Sequence, residues 1–154
     1  MKLYLGLMWI KSNRSLKSSF KLPGSFELFE MYFDRLQPCC EAEVQHVKIE
    51  ALAKRPPGEV LWLCERLKGR SKVLGSEDVA QCLEKLKMEG VKKLWVVVGP
   101  PDGVPKETID SLRPDLLWSF GPATYPHELA TVIAAEQLYR GFMILKGHPY
   151  HLGH

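Results

Sequence analysis

Two loops rich in glycine and proline hold residue types suited to gripping a small ligand: Gly99-Pro100-Pro101-Asp102-Gly103 and Gly121-Pro122-Ala123-Thr124-Tyr125-Pro126. Glycine lets a ligand approach the backbone closely, and proline fixes a backbone edge against which a flat ring can hydrogen-bond. That chemistry suits an adenine, although a rigid strand-to-helix connection capped by His127 uses the same residues. Neither loop has the GxGxxG spacing that a dinucleotide pyrophosphate requires, which disfavours a nucleotide-binding oxidoreductase. Further on, Glu136, Gln137 and Arg140 interrupt a largely apolar stretch containing Leu138, Tyr139, Phe142 and Met143. An exposed Arg140 can hold a phosphate through its planar fork, whereas a buried Glu136–Arg140 pair would be structural. The tail adds the imidazoles of His148 and His151 and the phenol of Tyr150, too polar and aromatic for a random end. Cys39, Cys40, Cys64 and Cys82 form no CxxC pair, so reduced thiols are expected and no metal site is assigned.

These residues need elements to hold them. Residues 3–8 form an apolar run of strand length. From Ser25, read as an N-cap, Phe26, Phe29, Phe33 and Leu36 recur at helical spacing until Pro38 stops the helix. Residues 44–49 predict a short strand and residues 49–55 a short helix ended by Pro56-Pro57-Gly58. Residues 60–64 predict a strand, and Ser76 is expected to cap a helix that buries Val79, Cys82, Leu83 and Leu86 and stops at Gly90. The β-branched run at 94–98 suits a parallel strand covered on both faces, completing a βαβ unit. A helix from Pro105 to before Pro114, a strand over 116–120 and a long helix over 127–145 follow. The alternation predicts a doubly wound α/β fold. Ligands in such sheets bind beyond the carboxyl ends of the strands, here from Cys64, Gly99 and Gly121 onward, on one rim.

A length of 154 residues fits about one domain, and 45% hydrophobic with 25% charged residues excludes a disordered or fibrous chain. A net charge of +3 tolerates a polyanionic partner without demanding one. Lys2, Lys11, Arg14, Lys17 and Lys21 make the start of the chain basic, as a solvated face or a polyanion contact would be. The opening apolar run imitates a signal peptide, but Lys11, Arg14 and Lys17 stand where a small-residue cleavage site belongs. No apolar stretch approaches the roughly 18 residues of a membrane span, so a cytoplasmic protein without membrane contact is expected.

Three ordered runs carry a more specific signal: Leu117-Trp118-Ser119-Phe120 with Thr124-Tyr125-Pro126-His127-Glu128-Leu129, then Glu136-Gln137-Leu138-Tyr139-Arg140-Gly141, then His148-Pro149-Tyr150-His151. Together they resemble the ribosomal RNA large subunit methyltransferase H family, of the SPOUT class. The similarity is densest over residues 60–151 and extends to Met1-Lys2-Leu3, which implies a single SPOUT methyltransferase domain over 1–154. The resemblance implies an α/β SPOUT-type sheet flanked by helices, with a C-terminal trefoil knot, in a homodimer. It further implies S-adenosylmethionine as cofactor and methylation of N3 of a pseudouridine in 23S rRNA, within the large subunit or the whole ribosome. By position it implies that Leu63, Gly99, Phe120, Gly121, Pro122, Ala123, Thr124 and Tyr125 surround the methyl donor, with His127 beside that loop. Arg140, Tyr150 and His151 match segments near the substrate. A neutral His151 would take the N3 proton, Tyr150 would pack on or hydrogen-bond the base, and Arg140 would grip phosphate.

This chain departs from the family pattern in three places. Pro100 stands where a second glycine is typical, Thr131 where an arginine is common, and residues 39–55 form a shortened segment. Leu152, Gly153 and His154 extend beyond the last motif. The alternative reading is a noncatalytic ribosome-binding factor that kept the fold and lost donor binding through Pro100.

Overall fold

A computed structural model describes residues 1–152; Gly153 and His154 lie outside the described residues. Strands β1 (Lys2–Leu7), β2 (Glu41–His46), β3 (Val60–Cys64), β4 (Lys72–Val73), β5 (Lys93–Val98) and β6 (Leu116–Ser119) form one sheet in the order β2-β1-β5-β3-β6-β4. Every pairing is parallel. β5 lies between β1 and β3, with Leu3 beside Leu94 and Leu61 beside Trp95, which accounts for its continuous apolar run.

The helices are α1 (Leu16–Ser19), α2 (Ser25–Leu36), α3 (Ile49–Ala53), α4 (Ser76–Met88), α5 (Lys106–Leu112) and α6 (His127–Leu145). Side chains alternate across a strand, so each strand feeds two cores. Leu3, Leu5, Leu7, Val96 and Val98 meet Phe29 and Leu36 of α2, Val79 and Leu83 of α4, and Leu138 and Phe142 of α6. Leu61, Leu63 and Val97 meet Leu52 of α3 and Ile109 and Leu112 of α5 on the opposite face. This is the doubly wound arrangement expected from the alternation. α4 and α6 approach closely at Gly141, where a Cβ would stand 2.9 Å from Leu83 Cδ1.

β3 and α6 fall on the expected residues. Two capping assignments are corrected. Ser25 and Ser76 are first helical residues, and the N-caps are Gly24 and Gly75. Tertiary partners hold both hydroxyls: Ser25 Oγ donates to the Leu22 carbonyl at 2.8 Å and to Glu128 at 3.1 Å, and Ser76 Oγ donates to Gln137 Oε1 at 2.8 Å. Asp78 supplies the acceptor at the start of α4, taking the Gly75 N–H at 2.9 Å. β2 spans Glu41–His46, three residues earlier at each end than expected, because it pairs in register with β1 from Lys2 beside Glu41 to Leu7 beside His46; Lys2 Nζ also bridges Glu43 at 2.9 Å and Glu41 at 3.5 Å along that edge. The two-residue β4 was not anticipated, being too short to leave a pattern.

In the first turn of α6, the Glu128 carboxylate is buried and accepts the Lys21 N–H, the Leu22 N–H and the Ser25 hydroxyl. A buried carboxylate is tolerated when its oxygens are hydrogen-bonded, and a helix N-terminus favours negative charge. Glu128 thereby ties the basic N-terminal loop to the helix that borders the site.

Candidate active site

Because the pairings are parallel, the carboxyl ends of β3, β5 and β6 open on one rim. A cleft of about 300 Å³ lies there, lined by Glu65 and Arg66 after β3, residues 99–103 after β5, and Trp118, Phe120, Gly121, Ala123, Thr124 and Tyr125 around the end of β6. His127 and Ala130 of α6 close one side.

The first glycine loop is a tight turn. The Gly103 N–H donates to the Pro100 carbonyl at 2.9 Å, so Pro101 and Gly103 occupy turn positions that favour proline and glycine. Gly99 lacks room for a side chain: a Cβ would stand 2.9 Å from Val104 Cγ2 and 3.3 Å from Glu65 Oε2. In the second loop Gly121 has φ +114°, a conformation that favours glycine. Its N–H and carbonyl both bond the Ser119 hydroxyl, at 3.3 and 3.1 Å. Among the described residues, no intrachain hydrogen bond uses the backbone N–H of Ala123, Thr124 or Tyr125. The loop therefore presents backbone donors on a proline-fixed frame.

Gly99, Phe120, Gly121, Ala123, Thr124 and Tyr125 are brought together on the cleft wall. Pro122 turns its carbonyl to Arg66 Nη1 instead of lining the cleft. The Leu63 side chain is fully buried in the core beneath β3 and supports the rim from inside. Glu65 and Arg66 were missed from sequence, although being the first polar pair after an apolar strand marks them for the rim. Glu65 is half-buried, and burial pushes its carboxyl above the ordinary value, opposed by hydrogen bonds from the Val104 and Arg66 N–H groups.

Arg140, Tyr150 and His151 form a second cluster. Arg140 Nε and Nη2 engage Glu136 Oε1 at 2.7 and 2.6 Å, and Nη1 meets His151 Nδ1 at 3.1 Å. The guanidinium lies 4.8 Å above the Tyr150 ring, whose hydroxyl donates to Glu136 at 3.3 Å. Burial, the Tyr32 hydroxyl and the Glu136 carboxylate push the Tyr150 phenol above its ordinary value. His151 Nε2 meets Glu77 Oε1 at 2.8 Å. An arginine can only donate and a carboxylate can only accept, so this arrangement assigns the neutral tautomer with hydrogen on Nε2 and a lone pair on Nδ1. The same contact, ahead of other causes, lowers the Glu77 carboxyl.

Arg140 stands 13 residues along α6 from His127 at the cleft, a displacement of about 20 Å at helical rise. Within one chain, the cleft and the tail cluster are therefore separate sites.

A family model described as "Predicted SPOUT methyltransferase" matches residues 21–151. The chain belongs to the SPOUT methyltransferase family. It is 46% identical over 107 residues to a protein of Koribacter versatilis named ribosomal RNA large subunit methyltransferase H, covering 68% of this chain and 72% of that protein. Proteins of the same name from Syntrophobacter fumaroxidans and Brucella anthropi are each 34% identical, over 138 and 143 residues; the matches cover 79% and 81% of this chain and 87% and 88% of those proteins. These relatives bear out the resemblance carried by the three motif runs.

Two departures of this SPOUT chain have physical accounts. The turn absorbs Pro100, whose carbonyl, the group it needs there, is bonded to Gly103. Thr131 is fully buried: its hydroxyl donates to the His127 carbonyl at 2.7 Å and accepts from Trp9 Nε1 at 3.0 Å, while the Trp9 ring packs on His127 at 4.5 Å. Thr131 thus joins the segment after β1 to the start of α6. Burial pushes the Cys40 thiol up to about 11 and raises Cys64 further. Among the described residues no group of three metal-ligating side chains forms, and no helix is long and apolar enough to cross a membrane.

Proposed function

We propose that this chain transfers a methyl group from S-adenosylmethionine to N3 of a pseudouridine in 23S rRNA, within the large subunit or the whole ribosome, in the cytoplasm. The observation that carries the reading is the cleft where β3, β5 and β6 end, in a chain of SPOUT family. The names of its relatives supply the RNA class. The residues present fit the donor: a cleft of about 300 Å³, a glycine at 99 where a Cβ would intrude, and free backbone donors at residues 123–125. Leu63, Gly99, Phe120, Gly121, Pro122, Ala123, Thr124 and Tyr125 would hold it, Leu63 and Pro122 by supporting the wall. When bound, S-adenosylmethionine supplies an electrophilic methyl carbon on a sulfonium.

The work left to the chain is orientation and proton removal. Holding N3 in line with the methyl carbon supplies much of the rate. His151 Nδ1 carries the lone pair and takes the N3 proton once Arg140 Nη1 withdraws, directly or through a water. Tyr150 stays protonated and packs against or hydrogen-bonds the base. Arg140 uses three of its five N–H groups internally and keeps two for a phosphate oxygen.

The separation of about 20 Å between cleft and tail cluster supports a homodimer, because a second copy can bring its Arg140, Tyr150 and His151 over the first copy's cleft. Exposed Tyr125 and Leu129 beside the cleft give such a partner apolar surface to cover. Residues 1–154 act in this reading as one domain whose C-terminal part forms a trefoil knot. Calorimetric titration with S-adenosylmethionine, run beside sedimentation, tests the reading. One site per chain in a dimer is expected. A chain that binds no donor, or that is monomeric while active, refutes it.

A further inference from the structure

Glu65 and Arg66 follow β3 directly, and each reaches a different loop across the cleft. Glu65 Oε2 accepts the Val104 N–H at 3.1 Å, just past the turn that closes residues 100–103. The same oxygen lies 3.3 Å from where a Gly99 Cβ would stand, and Oε1 lies 3.5 Å from the corresponding point of Gly103. Arg66 Nη1 donates to the Pro122 carbonyl in the loop after β6. Among the described residues, the other hydrogen bonds of these loops are local: Gly103 to Pro100 in one, and Gly121 to Ser119 and Ala130 to Pro126 in the other. Neither loop is held by a sheet ladder; Val104 packs in the core beside Leu61 and Leu63, Phe120 packs on Trp118, and these two arms are the side-chain hydrogen bonds that tie the loops to the end of β3.

We infer that Glu65 and Arg66 are positioning residues that clamp the loops of residues 99–104 and 120–126 to the end of β3, fixing the shape of the cleft before any donor enters it. A loop already ordered in its bound form does not lose that freedom on binding, which raises affinity. The retention of a half-buried carboxylate here agrees with a functional use, since burial alone opposes its charge. The clamp rests on geometry; its link to the donor rests on the proposed function.

Amide hydrogen exchange on the ligand-free full chain, followed by titration with S-adenosylmethionine, tests the inference. Removing one hydrogen-bond acceptor from a shielded amide speeds its opening on the order of tenfold. Glu65→Ala is expected to speed exchange of the bonded Gly103 and Val104 amides by that factor and leave the Gly121 amide at the wild-type rate; Arg66→Ala, by releasing the loop that carries Gly121, is expected to do the reverse. Glu65→Gln keeps an acceptor oxygen and restores the first loop. Each alanine variant is expected to weaken donor binding roughly tenfold, in step with its exchange. Unchanged exchange, or equal loosening of both loops by either variant, overturns the clamp. Loosened loops with unchanged donor affinity overturn its role in shaping the cleft. A wild-type chain that binds no donor, with the loop-specific exchange intact, overturns the proposed function and leaves the clamp standing.

Discussion

Gly99→Ala tests the donor cleft at its tightest backbone position. The added Cβ would stand 2.9 Å from Val104 Cγ2 and 3.3 Å from Glu65 Oε2, inside the 3.4–4 Å of ordinary contact. Overpacking of this kind costs about 1–3 kcal/mol, and the strain is relieved where the structure is softest. Here the yielding part is the loop of residues 99–104, the wall of the cleft, so the cost falls on the donor-ready shape. If all of it appears in binding, affinity for S-adenosylmethionine drops roughly 5- to 150-fold. Calorimetric titration measures the drop, with thermal melting as a control for the fold. Val104→Ala removes the 2.9 Å contact, so the double variant should bind more tightly than Gly99→Ala alone. Wild-type affinity in Gly99→Ala, or no recovery in the double variant, refutes the steric reasoning.

Four further outcomes follow from the same geometry. Arg140→Ala removes the cation assigned to a phosphate, so it should weaken ribosome binding on the order of tenfold and donor binding by less; filter binding and calorimetry separate the two, and equal losses contradict the assignment. Glu128→Ala strips the acceptor from the Lys21 and Leu22 N–H groups and the Ser25 hydroxyl and should cost about 3 kcal/mol in denaturant unfolding, with Glu128→Gln milder; a loss below about 1 kcal/mol would mean the N-terminal loop is held by other contacts. Burial raises the Glu65 carboxyl in the folded chain above its ordinary value of 4.5, so this group favours folding most below 4.5 and loses that contribution as pH rises through the folded value; Glu65→Gln should flatten the stability profile across that window, and an unchanged slope contradicts the burial. With the Cys40 thiol pushed up to about 11 and Cys64 higher still, both should resist alkylation at neutral pH until the chain unfolds, which mass spectrometry reads directly.

How much of this was legible in the sequence depended on where each signal lives. β3 and α6 could be bounded because apolar runs and flanking prolines are local features of the chain. The caps at Ser25 and Ser76 could not, because Leu22, Glu128 and Gln137 recruit those hydroxyls from outside the helix start. β2 hid its first residues because it is an edge strand, where Glu41 and Glu43 face Lys2 and leave no apolar run. The rim rule for parallel sheets located the cleft, and Gly99 and Gly121 marked its walls. The same rule could not reveal that Leu63 points into the core, or that Glu65 and Arg66 reach across to the two glycine loops, since side-chain direction at a strand end is set by the fold. The choice between a structural and a phosphate-binding Arg140 stayed open in the sequence; the structure shows the Glu136 pair and, beyond it, the contact with His151.

The most direct test of the central claim is methyl transfer itself. The purified chain is incubated with labelled S-adenosylmethionine and ribosomes lacking the modification, and 23S rRNA fragments are mapped by mass spectrometry. One methyl group at N3 of a pseudouridine is the predicted result; no transfer under conditions where a known family member is active, or methyl at another atom or RNA, contradicts the account.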